Sequence, residues 1–558
     1  MSDTQEYIVT AKTMDDATSL LDDLETPGGD LYIPSRAVEV TQRREISRNT
    51  HFLLTAEEAE QLRNDPRVIA VELMPSLQGI EAMPHWTQTG NFEKNATIDT
   101  NDKNWGLYRC TAGSNLATWG TNGSFTQTTQ TITTTSSGKN VDCVIVDAHI
   151  NFNHPEFAVN VDGTGGSRAI QYDWFQHSAA LGYSTTGTYS YSSISSAHGT
   201  HTAGTTAGNT QGWARDANIY NIEFNYPGPA LGGNGPGDDW SVFLFDYIRY
   251  FHNNKPINSA TGKRNPTITN NSWGYSYSSA TGFILANVTS VTYQGVTTDL
   301  TGQSDATKRT NLQARGIPVP ASTYLYRPPA RSAGVEADIQ DAIADGVLVV
   351  ASAGNSYWNC ATSDLSDYNN SFVYSGATYF ATRGSSPGAA PQVINVGNVG
   401  TTTQEYKSQS SNYGKRVDIW APGSNIVSSV YDANAATEFG ITLVNDPRNS
   451  AYKLGSISGT SMAGPQVAGY LACLLEQYPT MKQTAALAHL IANSTTGQIT
   501  STGGLAGDYT SLGANSNNRY LYYVAIRPIT GAVSPMTRYQ NRPTSGVAYP
   551  RSKIRRYG

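Results

Sequence analysis

The feature that most restricts what this chain can fold into is an alternation of β-branched runs and helical patterns between residues 141 and 352. Val144-Ile145-Val146-Asp147, a β-branched run ending in a carboxylate, closes a strand over 141–147, and a helical pattern over 198–208 follows it. A run over 217–224 precedes a helix near 239–251, a run over 266–272 precedes a helix near 333–345, and a run over 346–352 closes the series. Strands separated by helix-length segments pair side by side through crossovers. The pattern therefore predicts an α/β fold, a parallel sheet with helices on both faces. Chemical groups on such sheets gather at the carboxyl ends of the strands. Asp147 stands at one such end and Asn355 just beyond another.

Three stretches then supply a chemistry. Gly459-Thr460-Ser461-Met462-Ala463-Gly464-Pro465 leads into Val467–Leu475, an apolar run with helical spacing. A hydroxyl in a first helical turn lies in the positive field of unpaired amides, which bind an anion formed beside it. Alone, such a serine is usually just a cap. His198-Gly199-Thr200-His201-Thr202-Ala203-Gly204 puts a histidine at the start of a second small-residue helix. With Asp147 these make a nucleophile, a base to take its proton and an acid to orient the base. Their chain order, Asp then His then Ser, is that of subtilisin and differs from those of chymotrypsin and the α/β-hydrolases.

On these residues the chain resembles the subtilisin-like serine proteases (subtilases). The Ser461 and His198 stretches are similar to that family's signatures, and Asp147 with His154-Pro155-Glu156-Phe157 resembles its proteinase K branch. Val349-Val350-Ala351-Ser352-Ala353-Gly354-Asn355 resembles the strand that supplies the family's oxyanion-hole asparagine, and Asn104-Trp105-Gly106-Leu107 the start of its peptidase domain. The resemblance implies a peptidase domain over 106–525. Ser461 would attack a peptide carbonyl, with His198 as base and then acid, and Asp147 holding its tautomer. Asn355 and the Ser461 amide would stabilise the oxyanion. Ser272-Trp273-Gly274 resembles the edge strand that pairs with substrate backbone, with Trp273 altering the pocket wall where the family often has Leu. Where the family usually has Ser or Thr then Gly after the aspartate, this chain has Ala148-His149. A hydroxyl that could bond the carboxylate is gone, and bulk is added. Structural calcium is common in the family; the sequence offers no ligand cluster specific enough to name, and catalysis calls for no cofactor. No metal ligands are assigned: His198 and His201 are three apart with no adjacent glutamate base. His149 and His154 read as solvent-facing loop residues.

Residues 1–80 read as a separate α+β module. Tyr7-Ile8-Val9, Val38-Glu39-Val40, Phe52-Leu53-Leu54 and Arg67–Leu73 read as strands, and Thr13–Leu24 as an amphipathic helix. Thr55-Ala56-Glu57-Glu58 is a capping box that starts a second helix. The β-α-β-β-α-β order predicts a ferredoxin-like fold. It resembles the propeptide that precedes many subtilases and implies an intramolecular inhibitor, with 81–105 as the linker carrying a processing site.

The net charge of −7 argues against nucleic-acid binding, and only 15% of residues are charged. Cys110, Cys143, Cys360 and Cys473 lack metal-ligand spacing and read as buried free thiols rather than a disulfide framework, with a Cys110–Cys143 pair as the alternative. No apolar run is long enough to span a bilayer. The first residues show no basic and apolar leader, so cytoplasmic synthesis is expected. The Thr-, Ser- and Tyr-rich segment 275–333 reads as a surface insertion. Residues 526–558 read as an extended tail, whose stretch from Met536 carries six Arg and Lys residues and no acid. Either offers a docking surface for a larger assembly. The expected function is a serine endopeptidase acting on polypeptides and made as a self-inhibited precursor. The alternative is a structural or attachment component, of a virus particle for instance, with a silent site.

Overall fold

The computed structural model describes residues 4–26, 38–42, 47–73, 86–115, 129–183, 185–186, 196–223, 230–231, 240–279, 282–320, 323–401, 405–500, 511–513 and 515–524. The chain divides into two compact units, Met1–Pro84 and His85–Gly558.

In the smaller unit, Tyr7, Val9 and Ala11 alternate inward along the strand Gln5–Ala11, as a half-buried strand must. That strand lies between Asn49–Leu54 and Val68–Leu73, with Glu39–Gln42 on the outside, and every pairing is antiparallel. Helices Met14–Glu25 and Ala56–Arg63 bury Leu20, Leu24, Ala59 and Leu62 against Phe52 and Leu54. Both helices begin with a capping box. The Thr55–Glu58 box is the one read from the sequence, and Thr13 with Asp16 forms another. The order of elements is the β-α-β-β-α-β expected.

The larger unit is built on a nine-stranded sheet. Its order is Thr495–Thr496, Arg519–Tyr520, Ile419–Pro422, Ile394–Val399, Leu348–Ser352, Thr267–Asn271, Asp142–Asp147, Asn218–Glu223 and Ala169–Ile170. All pairings are parallel except that of the Thr495–Thr496 edge. Strand Asp142–Asp147 shows how the sequence serves both faces. Cys143 and Ile145 join a core with helices His198–Ala207 and Thr460–Gln477, while Val144 and Val146 face helices Leu244–Asn254 and Ala333–Asp345. A strand covered on both sides has no solvent-facing side, which is why 143–146 reads as an unbroken apolar run between Asp142 and Asp147. All four cysteines are buried free thiols.

One expectation changes. The linker does not extend to residue 105: Trp86–Gly90 pairs with Gln130–Thr134, and Phe92 and Lys94 are wholly buried. Lys94 Nζ lies 3.4 Å from Glu405, which also takes Arg109 through two bonds of 2.7 Å. Residues 81–85 of the expected linker lie outside the described residues, as does the basic tail 526–558.

The insertion 275–333, in turn, is a folded lobe. Its strands Val288–Tyr293 and Val296–Asp299 continue into Ser371–Tyr374 and Ala377–Phe380 as one antiparallel sheet. Phe283, Leu285, Val291, Leu312, Trp358 and Phe372 form its own core. Two separate chain segments build it.

Candidate active site

Asp147, fully buried, ends its strand. Its Oδ1 accepts from the Ala148 amide at 2.8 Å and lies 2.7 Å from His198 Nδ1; its Oδ2 accepts from the Thr202 hydroxyl at 3.1 Å. A carboxylate only accepts, so the imidazole proton sits on Nδ1 and Nε2 is left as the base. Ala148 does not leave the carboxylate short of donors, because Thr202, one turn along the helix from His198, supplies a hydroxyl. The spacing of four residues was a legible signal for that role.

His198 opens its helix with a side chain 24% exposed. Gly199 lets the helix start touch the strand end: a Cβ there would come within 2.0 Å of the Ala148 carbonyl oxygen. Burial, the largest influence on the imidazole, favours its neutral form. The charge and hydrogen bond of Asp147, with the charge of Glu438, outweigh it and raise the pKa above the ordinary histidine value.

The neighbouring histidines are not the solvent-facing residues expected. His149 is 5% and His154 1% exposed. His149 Nδ1 lies 3.6 Å from Glu223 and its ring packs edge-on to Phe152, and burial lowers its pKa. His154 faces the Lys453 carbonyl through Nε2 at 3.0 Å and accepts from the Glu156 amide through Nδ1 at 3.1 Å. A polar loop sequence cannot tell that Lys453, 299 residues beyond His154, or Tyr431 beside His149 closes over it. Buried His201 bonds the Ile426 carbonyl at 2.9 Å, and burial lowers its pKa to about 3. Among the described residues no group of three or more His, Cys, Asp or Glu is placed to hold a metal ion.

Ser461 is the second residue of helix Thr460–Gln477, and its hydroxyl donates to the Ser272 carbonyl at 3.3 Å. Pro465 lies inside the same helix and has no N–H for the Ser461 carbonyl four residues back. The Ser272 hydroxyl takes that place, donating to the Ser461 carbonyl at 2.9 Å. The two serines thereby fasten the helix start to the end of strand Thr267–Asn271. Beyond it, Trp273 packs at 5.4 Å from Tyr275 on the core beneath helices Leu244–Asn254 and Ala333–Asp345. A Cβ on Gly274 would lie 3.0 Å from Ser385 Oγ.

Asn355 follows Gly354, whose φ of +101° suits glycine and turns the chain out of strand Leu348–Ser352. Asn355 Oδ1 accepts from the Thr460 amide at 2.8 Å and from its hydroxyl at 2.9 Å. This leaves both Nδ2 protons as donors on the side of Gly459, where a Cβ would come within 3.3 Å.

A carboxylate paired with a tautomer-fixed imidazole ends one parallel strand, and an amide anchored to the residue before a helix-start serine follows another. These are the groups that a serine-nucleophile site on a doubly covered α/β sheet would use. A sequence profile of the subtilase family (peptidase S8) matches residues 138–520, and the chain belongs to that family. It is 24% identical over 368 residues to alkaline serine exoprotease A of Vibrio alginolyticus, spanning 66% of this chain and 44% of that protein. It is 30% identical over 172 residues to an extracellular serine proteinase of Thermus sp. (strain Rt41A), spanning 31% of this chain and 32% of that one. With subtilisin-like protease 3 of Arthroderma otae it shares 27% identity over 365 residues, 64% of this chain and 58% of the relative. The chain thus spans less than two thirds of each of these relatives. The crystal structure of a cold-adapted subtilisin-like serine proteinase is 20% identical with a TM-score of 0.43, covering 77% of this chain and 100% of that one. Among the described residues no helix is long and apolar enough to cross a membrane.

Proposed function

We propose that the chain is a serine endopeptidase that cleaves polypeptides through an acyl-enzyme. The observation that carries this reading is the 2.7 Å pairing of His198 Nδ1 with buried Asp147, beside a serine in a first helical turn. Ser461 Oγ attacks the scissile carbonyl, its proton passing to His198 Nε2 and then to the leaving amine, while Asp147 balances the imidazolium. The Asn355 amide and the Ser461 N–H receive the oxyanion. Donors fixed in advance are worth about 2.7–4 kcal/mol each to such a step. In this reading the Ser461 hydroxyl leaves the Ser272 carbonyl for His198 as substrate enters; hydrogen bonds of this kind are commonly loose before substrate binds. Substrate backbone adds as a strand along Ser272–Gly274.

The smaller unit, with its four-stranded sheet and two helices, acts in this reading as the chain's own inhibitor until a cut between the units. The test is intact-mass and N-terminal sequencing beside a Ser461→Ala variant, with a serine-directed phosphonate probe. Loss of a fragment of roughly the size of the smaller unit, about 80–100 residues, from the wild type alone, with labelling that needs Ser461, is expected. Two full-length, unlabelled proteins would overturn the enzyme reading and favour an attachment component.

A further inference from the structure

The N-cap residue of the His198 helix, Ala197, supplies no side-chain cap for the first amides. The acceptor comes from elsewhere: Glu438, in the short helix Ala435–Phe439, takes the Ala197 N–H on Oε2 at 2.8 Å and the Ser196 hydroxyl on Oε1. Ser196 Oγ in turn accepts from the His198 N–H at 3.1 Å. The carboxylate thus spans the turn that carries the imidazole. The segment around it is fastened to the same region at three more points. Asn151 Nδ2 donates to the Tyr431 carbonyl at 2.9 Å, Arg448 pairs with Glu156, and His154 meets the Lys453 carbonyl at 3.0 Å.

We infer that Glu438 is a positioning residue for the proposed peptidase reaction: it braces the Ser196–His198 turn from outside, through the Ala197 N–H and the Ser196 hydroxyl, and holds an anion at the start of the helix that carries the base. The inference rests on the reading of His198 as that base. The titratable groups that bear on His198 are Asp147 on the neighbouring strand, His201 on its own helix, held neutral by burial, and Glu438 opposite the helix start. Asp147 sets the tautomer. Glu438 adds a second negative charge, and because it is solvent-exposed that contribution falls with salt. A carboxylate at a helix N-terminus also meets the positive end of the helix dipole.

Two substitutions separate brace from charge. Glu438→Gln keeps an oxygen for the Ala197 amide and removes the anion; Glu438→Ala removes both. The rate of phosphonate labelling at Ser461 is followed against pH, at low and at high salt. With the anion gone the imidazolium is less favoured, so neutral His198 persists to lower pH. Glu438→Gln should label about 2–3-fold faster than wild type on the acidic limb at low salt, with an equal plateau, and the difference should vanish at about 1 M salt. Glu438→Ala should show the same displacement with a plateau lowered about 3-fold or more, as the turn loosens. A lower melting temperature in either variant with a superimposable pH profile would mean a merely structural contact and would overturn the inference. The Asp147–His198 Nδ1 proton, followed across pH by one-dimensional NMR, reads the same titration without turnover. If the wild type does not label at all, the enzyme reading fails, and this resonance still decides whether Glu438 acts on His198.

Discussion

Pro465 creates a debt in the Ser461 helix that only Ser272 discharges, and a double-mutant cycle can measure it. Ser272→Ala leaves the Ser461 carbonyl, otherwise bonded at 2.9 Å, with neither a helical N–H nor a hydroxyl. An orphaned buried acceptor costs about 1–3 kcal/mol. Pro465→Ala restores an N–H at the position from which an ordinary helix would supply it. In that background Ser272→Ala should cost less than about 1 kcal/mol, a coupling of about 1–2 kcal/mol between residues that share one partner. The cycle is best run on a Ser461→Ala chain, which keeps the backbone carbonyl and removes self-cleavage. Calorimetry at one scan rate reads the four melting temperatures. Each kcal/mol moves the transition by about 1 °C in a unit of this size, so replicate scans are needed. Hydrogen exchange over residues 459–466 gives a local second readout. Equal costs of Ser272→Ala in both backgrounds would refute the proline argument.

Other outcomes follow from the same geometry. Thr202→Val removes the 3.1 Å donor to Asp147 and should slow phosphonate labelling about 10-fold, since hydrogen bonds to charged groups are worth about 1.5–3 kcal/mol; an unchanged rate would show that the Ala148 amide and His198 suffice. Asn355→Ala should lower kcat on a peptide substrate about 10²–10³-fold with little change in KM, and a KM effect alone would remove Asn355 from the oxyanion role. Burial acts to raise the pKa of Glu156, but Arg448 and the bonds from Thr210 hold it at about 2, down from 4.5. A folded-state pKa below the unfolded one gives stability that is complete above about pH 4.5 and is lost as pH falls toward 2. Arg448→Met should therefore destabilise by about 3–5 kcal/mol and move acid unfolding, followed by tryptophan fluorescence, to higher pH; an unmoved midpoint refutes the pairing.

The sheet was legible, and the four groups of the candidate site could be picked out as candidates, because each depends on local sequence. A doubly covered strand such as Asp142–Asp147 carries apolar residues on both faces, and a serine in a first helical turn followed by small residues is a local signal too. What escaped depends on distant partners. Val288 and Val291 are buried three residues apart, off the strand period of two, where the pairing with Ser371–Tyr374, some 80 positions later, shifts register between Val288 and Ser290. Nothing near Lys94 announces Glu405, 311 residues on, and nothing near His198 announces Glu438. The histidines His149 and His154 were misplaced for the same reason: burial is decided by the segment that folds over them.

The buried cluster of Lys94, Arg109 and Glu405 sets a rule for shortening this chain. Lys94 also stands 4.7 Å above the Trp105 ring, so the stretch ahead of Asn104 is part of the peptidase unit's interior rather than a leash. A version beginning at Asn104 would discard one of two cations neutralising a carboxylate that water cannot reach, along with the strand Trp86–Gly90. For recombinant work the natural first residue of a pared-down enzyme is therefore near His85, and a cutter acting upstream of that point leaves the inner charge balance intact.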